Sequence, residues 1–326
     1  MPGIARYVAR KVASRILVFF IIVSVTFIIP RLMPGGAFAY LIENPNISPE
    51  LREALIKEFG LDKPLWVQYV AFLKEFFLRG NIGISFYYLK PVSEVIMQAL
   101  PWTVALVTTS VVLSALFGIT LGALAAYKRG SKLEAGMFNT FMFIRSMPSF
   151  WLGLVLLIVF GYYLRVAPLY GAYTYGATYR STLDFIADVM WHLWLPMTTL
   201  VLLGTSVYFI LSRNSVVDVL TEDFVMVAKA KGLSDKEVLF RHALRPASLP
   251  VLTYLALDLG YSIGGALLVE VVFSLPGVGK LMYEAVYMTD YPLLLGIVIY
   301  VSALTLTLIT IAEILYAFID PRVKLL

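Results

Sequence analysis

The chain has 326 residues, 60% of them hydrophobic and only 14% charged, with a mean hydropathy of +0.83. Soluble domains keep an apolar share just under half and a charged share near a quarter, so this composition excludes an ordinary soluble protein and requires an integral membrane one. The net charge of +5 is accounted for by basic inner loops rather than by nucleic-acid binding; the absence of cysteine excludes disulfides and thiolate chemistry, and with only two histidines, His192 and His242, a histidine zinc motif is excluded as well.

The first fifteen residues carry Arg6, Arg10, Lys11 and Arg15, and an apolar run follows from Ile16 to Pro30. Ala37-Phe38-Ala39 has the small-residue look of a cleavage site, but the run, extended from Ser14 to Met33, has span length and is read as a retained first span. Residues 1–33 are therefore expected to be an inner N-terminus and first span, and residues 34–99 an extracytoplasmic segment. Within that segment Ser48-Pro49 is a helix start, Leu51, Leu55 and Phe59 mark one face, and Gly60 is a stop. Leu65 to Leu78 is a second amphipathic piece rich in aromatics, including Trp66, Tyr69, Phe72, Phe76 and Phe77, and reads as a helix at the membrane interface.

Residues 100–326 are expected to form a core of five further spans: Leu100 to Tyr127, Phe138 to Leu164, Leu193 to Leu211, Ala247 to Phe273 and Pro292 to Phe318. Each is long enough to cross a hydrocarbon core of about 30 Å at about 1.5 Å per residue. With the first span the expectation is an all-α membrane protein of six spans. The pairs Gly118/Gly122 and Gly260/Gly264 let helix backbones approach closely but do not name the partner helix. Lys and Arg concentrate in the N-terminus, the loop Lys128 to Lys132, the stretch Arg213 to Arg245 and the tail with Arg322 and Lys324. Basic loops stay inside, so both termini and that stretch are expected in the cytoplasm of a multi-pass cell-membrane protein.

The stretch Thr221 to Pro250 is a polar island between two apolar runs. Thr221 reads as an N-cap, Glu222 and Asp223 lie in the first turn, Lys229 and Lys231 in the last, and Gly232 ends the helix in a left-handed conformation. Ser234 and Glu237 form a capping box for a second helix, and Pro246 and Pro250 are expected to break it where the next apolar run begins. Two short capped helices held between spans suit a docking surface.

Charges at membrane depth are the other pointers. Asp258 falls mid-span, where an ionised carboxylate costs at least about 2.5 kcal/mol, so it must face helices or water; Glu270 lies nearer the outer end. Both are candidates for a translocation path. Arg145 and Glu313 are placed to snorkel or pair. Gly277-Val278-Gly279-Lys280 lacks the upstream glycine and following hydroxyl of a phosphate loop and falls on the outer side, and no catalytic or metal constellation stands out.

Taken together these segments resemble the permease subunits of ATP-binding-cassette importers for oligopeptides and dipeptides. Met226-Val227-Ala228-Lys229-Ala230-Lys231-Gly232 is similar to the importer coupling loop, keeping Ala228 and Gly232 and departing at Met226 and Val227, and the likeness continues through Leu233-Ser234 and Phe240-Arg241-His242-Ala243-Leu244-Arg245. Pro30 to Gly35, Gly60 to Leu65, Glu270 to Gly279 and Asp290-Tyr291-Pro292 extend it nearly end to end. The resemblance implies a type I importer fold in which residues 213–246 form the cytoplasmic coupling loop. It assigns ATPase coupling to Glu222, Asp223, Ala228, Lys229, Ala230, Lys231, Gly232, Leu233, Ser234, Arg241 and His242. It also implies a second homologous permease, two ATP-binding subunits that hold the ATP and magnesium, an extracytoplasmic substrate-binding protein and surrounding lipid, with no cofactor on this chain and no enzyme activity of its own. Oligosaccharide import by the same machinery is the alternative substrate. An ion-coupled secondary transporter using Asp258 is the alternative of another class; an intramembrane hydrolase lacks a nucleophile–base pair.

Overall fold

A computed structural model describes residues 2–32, 48–58, 60, 62–261 and 266–319. Almost all of them are helical: α1 (Pro2–Leu32), α2 (Pro49–Glu58), α3 (Leu65–Arg79), α4 (Val92–Tyr127), α5 (Lys132–Arg145), α6 (Ser149–Leu156) running into a π turn (Leu157–Tyr163), α7 (Thr182–Leu220), α8 (Asp223–Ala230), α9 (Asp235–Glu237) running through a π turn (Val238–Ala243) into α10 (Leu244–Tyr261), α11 (Leu267–Val272), α12 (Val278–Tyr287) and α13 (Tyr291–Ile319). Met33 to Gly35, Ala37 to Ala39, Phe59, Gly264, Arg322 and Lys324, all invoked in the sequence reading, lie outside the described residues, as do the side chains of Leu51 and Leu55.

Among the described residues four helices are long and apolar enough to cross a membrane: Tyr7–Leu32, Val92–Tyr127, Thr182–Leu220 and Tyr291–Ile314. The stretch expected as one span from Phe138 to Leu164 is instead two helices, α5 and α6 with its π turn, bent by 102°. The cause is local. Pro148 disfavours helical geometry at Met147 and itself takes extended angles (φ −60°, ψ 141°) as the N-cap of α6. Of the region expected as the fifth span, 247–273, residues 247–261 lie in α10 and 267–272 in α11, and residues 262–265 lie outside the described residues. Pro246 and Pro250 do not break it: α9, the π turn and α10 run without interruption from Asp235 to Tyr261. The two prolines are four residues apart, so their missing N–H groups fall on one face and interrupt a single strip of the hydrogen-bond ladder. Observed helices also outrun the expected spans, α4 starting at Val92 and α7 covering Thr182 to Leu220, because hydropathy marks lipid depth whereas packing and caps carry helix into water. The Ser181 hydroxyl, for instance, accepts from the Asp184 amide at 3.2 Å to start α7.

The chain forms two compact units, Met1–Pro101 with Leu281–Leu306, and Trp102–Lys280 with Thr307–Leu326. In the first unit α3 runs antiparallel along α1, with Gln68 bonded to Arg31 (3.2 Å), Tyr69 and Phe72 against Phe27, and Phe76 against Phe19. The aromatics expected at a membrane interface are thus divided, Tyr69, Phe72 and Phe76 facing α1 and Trp66 and Phe77 exposed. Buried Asp290 accepts from the Ser85 hydroxyl (2.5 Å), the Tyr87 amide (3.0 Å) and the Leu293 amide (3.1 Å). It therefore caps α13 and pins the loop before α4 to it. Tyr88, whose hydroxyl donates to Glu284 at 2.8 Å, has its own ionisation pushed up by burial and by that carboxylate.

In the second unit α4 and α7 meet at glycines. A side chain at Gly118 would collide with Tyr208, and one at Gly122 would come within 2.7 Å of the Phe209 carbonyl, so α7 is the partner that this small-residue pair admits. One end of the unit packs Ala126, Val216, Val217, Leu239, Ala243 and Ala247 together. Near that end Glu134 joins the basic loop to α7: it accepts from the Gly130 amide (2.6 Å) and from the guanidinium of Arg213. A separate cluster unites Leu106, Ala167, Leu193, Leu195, Val269, Phe273 and Leu275.

Beside that cluster Glu270 is 1% exposed and fully bonded. It accepts from the Thr103 hydroxyl (2.7 Å) and from the amides of Gly279 (2.7 Å) and Lys280 (3.2 Å), while Thr103 in turn accepts from the Val278 amide at 2.8 Å. The free amides at the start of α12 are thereby satisfied by a side chain of the protein itself, and a Cβ at Gly277 would collide with the carboxylate. Glu270→Ala is expected to lower stability by about 2–3 kcal/mol, the cost of leaving buried donors without a charged acceptor, and Glu270→Gln by less; thermal unfolding of the detergent-purified protein measures both.

Candidate functional site

Two places combine exposure or a cavity with chemistry: the polar island between α7 and α10, and a cleft walled by α4, α7 and α10.

The island opens where α7 closes. The Thr221 hydroxyl donates to the Asp218 carbonyl at 2.7 Å, so Thr221 terminates α7, and Glu222 takes the N-cap position of α8. The expectation that Thr221 caps the following helix is corrected on that point: two helices abut within three residues, and a threonine at the join bonds backward to a carbonyl already in place. Asp223 begins α8 and Lys231 follows its end. Gly232 has φ +85°, and among the described residues no atom lies within 4 Å of where a Cβ would stand, so the backbone, not the space, demands glycine. Ser234 and Glu237 form the expected capping box: the Ser234 hydroxyl accepts from the Glu237 amide at 3.3 Å, and Glu237 accepts from the Ser234 amide at 3.1 Å. The Ser234 hydroxyl and amide together hold the Glu237 carboxyl below the usual carboxylate range.

The hairpin has a core of its own. Val225, Ala228 and Val238 are buried, with Leu220 and Leu233 packed against them, and the next layer, through Leu239 and Ala243, reaches Val216 of α7 and Ala126 of α4. Lys229 pairs with Asp235 at 2.9 Å on the exposed rim. Of the residues singled out by sequence, Ala228 and Leu233 thus face inward, Gly232 and Ser234 shape the turn, and Glu222, Asp223, Lys229, Lys231, Arg241 and His242 are exposed. Ala230 is exposed as well, at the end of α8. What sequence reasoning missed is the outward apolar face: Phe224, Met226, Val227 and Phe240 are 45%, 59%, 54% and 62% exposed. Phe224 and Val227 stand three residues apart on α8, an available signal that treating Met226 and Val227 only as departures from a pattern obscured.

The cleft, of about 230 Å³, is lined by Val107, Ser110, Ser114, Leu203, Val207, Tyr254 and Asp258 among others. Asp258 accepts from the hydroxyl of fully buried Tyr208 at 2.8 Å, and Tyr254 meets the Tyr208 ring edge-on at 5.2 Å. Glu270 does not line this cleft; its oxygens serve α12. The two acidic residues grouped by sequence as path candidates therefore have separate settings.

This architecture is that of a multi-pass membrane protein. Residues 118–325 match the family described as "Binding-protein-dependent transport system inner membrane component", residues 4–107 match its N-terminal counterpart, and the chain belongs to that family. It is 34% identical to the oligopeptide transport system permease protein AppB of Bacillus subtilis, covering 98% of this chain and 99% of that one. It is 31% identical to the di/tripeptide transport system permease protein DppB of Pseudomonas aeruginosa and 30% to the dipeptide transport system permease protein DppB of Escherichia coli, in both cases over 98% of each chain.

Because a depressed carboxyl stabilises only while ionised, the capping box is complete at neutral pH and is lost as pH falls below the ordinary glutamate value of about 4.3 toward the folded one. A spin label on Lys236→Cys is expected to stay immobile from neutral pH down to that point and to loosen below it. Adding Glu237→Ala, which removes the acceptor altogether, should make the label mobile at neutral pH too.

Proposed function

We propose that this chain is one permease half of an ATP-driven importer of di- and oligopeptides. The observation that carries the reading is the capped hairpin, which has an inward core joined to α4 and α7 and an outward apolar face, on a chain aligned end to end with permeases named for peptide transport. Those names favour a peptide over an oligosaccharide as solute. The basic residues of the N-terminus, the 128–132 loop and the hairpin support a cytoplasmic position for both termini and for the island; in this reading the chain crosses the membrane six times.

In this reading the hairpin seats in a groove of an ATP-binding subunit, Phe224, Met226, Val227 and Phe240 supplying apolar contact and Glu222, Asp223, Lys229, Lys231, Arg241 and His242 the polar rim. ATP and magnesium are held by two such subunits, and this chain contributes no group to hydrolysis. A second homologous permease completes the channel, and an outer binding protein delivers the solute, received in part by residues 34–99. ATP binding draws the hairpins together and opens the channel outward; hydrolysis returns it inward, with Asp258 along the path.

A lever transmits motion only if it is stiff. Gly232→Leu would put a branched side chain in left-handed backbone, at about 1–2 kcal/mol, and is expected to leave the complex assembled while uptake per ATP falls; unchanged coupled uptake would remove the lever assignment. Val227→Asp together with Phe224→Asp is expected to abolish recovery of the ATP-binding subunits in a pull-down of the tagged chain. Retention of both subunits by that double variant would place docking elsewhere.

A further inference from the structure

We infer that the cleft between α4, α7 and α10 is a transit site for the N-terminal ammonium of the peptide, with Asp258 as its counter-ion; this rests on the importer reading above. Three observations carry it. Among the described residues the lining holds one carboxylate, two serines and a tyrosine, and no lysine, arginine or histidine, which favours a cation over an anion; Arg145 acts on Tyr254 from outside that lining. Ser110, 2% exposed, lines the cleft with a buried hydroxyl that has no hydrogen-bond partner among the described residues, an orphan that an entering N–H donor would satisfy. Tyr254 adds an aromatic ring at the cleft wall, which further favours a cation over a neutral solute.

Size decides which part of a peptide fits. At about 230 Å³ the cleft is below the roughly 300–1,000 Å³ that encloses a drug-sized ligand. It takes one end of a peptide while the remainder stays in the channel. Of the two ends only the ammonium matches the lining. The Tyr208 hydroxyl, donating to one Asp258 oxygen from a wholly buried ring, helps to fix the carboxylate's orientation. Val107, Val111, Leu200, Leu203 and Val207 offer apolar wall to a first side chain of any shape, which suits a conduit that reads a terminus common to all peptides.

The chain has no cysteine, so Val207→Cys gives it a single thiol at the cleft. The complete complex, without the binding protein, is treated with a maleimide while trialanine, trialanine amide or N-acetyl-trialanine is supplied directly at millimolar concentration, and labelling is read on this chain's own band. Trialanine and its amide are expected to slow labelling and the acetylated peptide to leave it unchanged. Adding Asp258→Asn should raise the concentration needed for half-protection about ten-fold, the loss of one charge-assisted contact. Equal protection by the acetylated peptide, or labelling that no peptide alters, would overturn the inference and assign Asp258 to a contact with another subunit. That comparison needs only the single-cysteine chain, so it stands even where Asp258→Asn fails to assemble. If the unmodified complex takes up no trialanine with ATP and binding protein, the importer reading itself falls.

Discussion

A charge taken out of water must find its solvation inside the protein, and that requirement organises much of this chain. Glu270 meets it with a threonine hydroxyl and two backbone amides, and in doing so joins α4 to the start of α12 through residues far apart in sequence. Asp290 does the same for α13 and the loop before α4, and Glu134 for the basic loop and α7. In each case a carboxylate acts as a clasp between segments. Where the donors are backbone amides at a helix start, as for Glu270 and Asp290, the clasp also settles groups that the helix leaves unpaired.

The hairpin follows the opposite logic. It keeps its charges in solvent and its rigidity in a small apolar core, Val225, Ala228 and Val238, extended through Leu239 and Ala243 to the ends of α4 and α7. The turn between its arms is held by a glycine in left-handed backbone and by a capping box. No part of it depends on a flexible linker, and α9 passes directly into α10. A displacement applied to its outward face therefore has no slack to take up before it reaches the spans.

What can be read in the sequence is what local chemistry determines. The Ser234–Glu237 box and the Gly232 stop depend on residues within a few positions, and both are found as expected. Thr221 falls to the wrong helix in such a reading because a hydroxyl at a helix junction can serve either neighbour. The bend at Pro148 is hidden inside an apolar run, since hydropathy carries no direction. Glu270 groups with Asp258 because both are acids near one expected span, yet its hydroxyl partner, Thr103, lies 167 residues away, and no local pattern announces such a pairing. Tyr208 likewise carries no polar signature in its own segment, although it is the donor that orients Asp258.

The length of α7 has a consequence of scale. Its 39 residues, with Pro196 inside, would span roughly 58 Å at about 1.5 Å per residue, nearly twice the hydrocarbon thickness of a bilayer. The glycine contacts at Gly118 and Gly122 hold its second half close against α4. Swung about one end by about 5°, a helix of that length would carry its far end by about 5 Å, close to the pitch of one helical turn. An angular change too small to disturb packing at the pivot is thus enough to exchange one ring of side chains for the next at the opposite face.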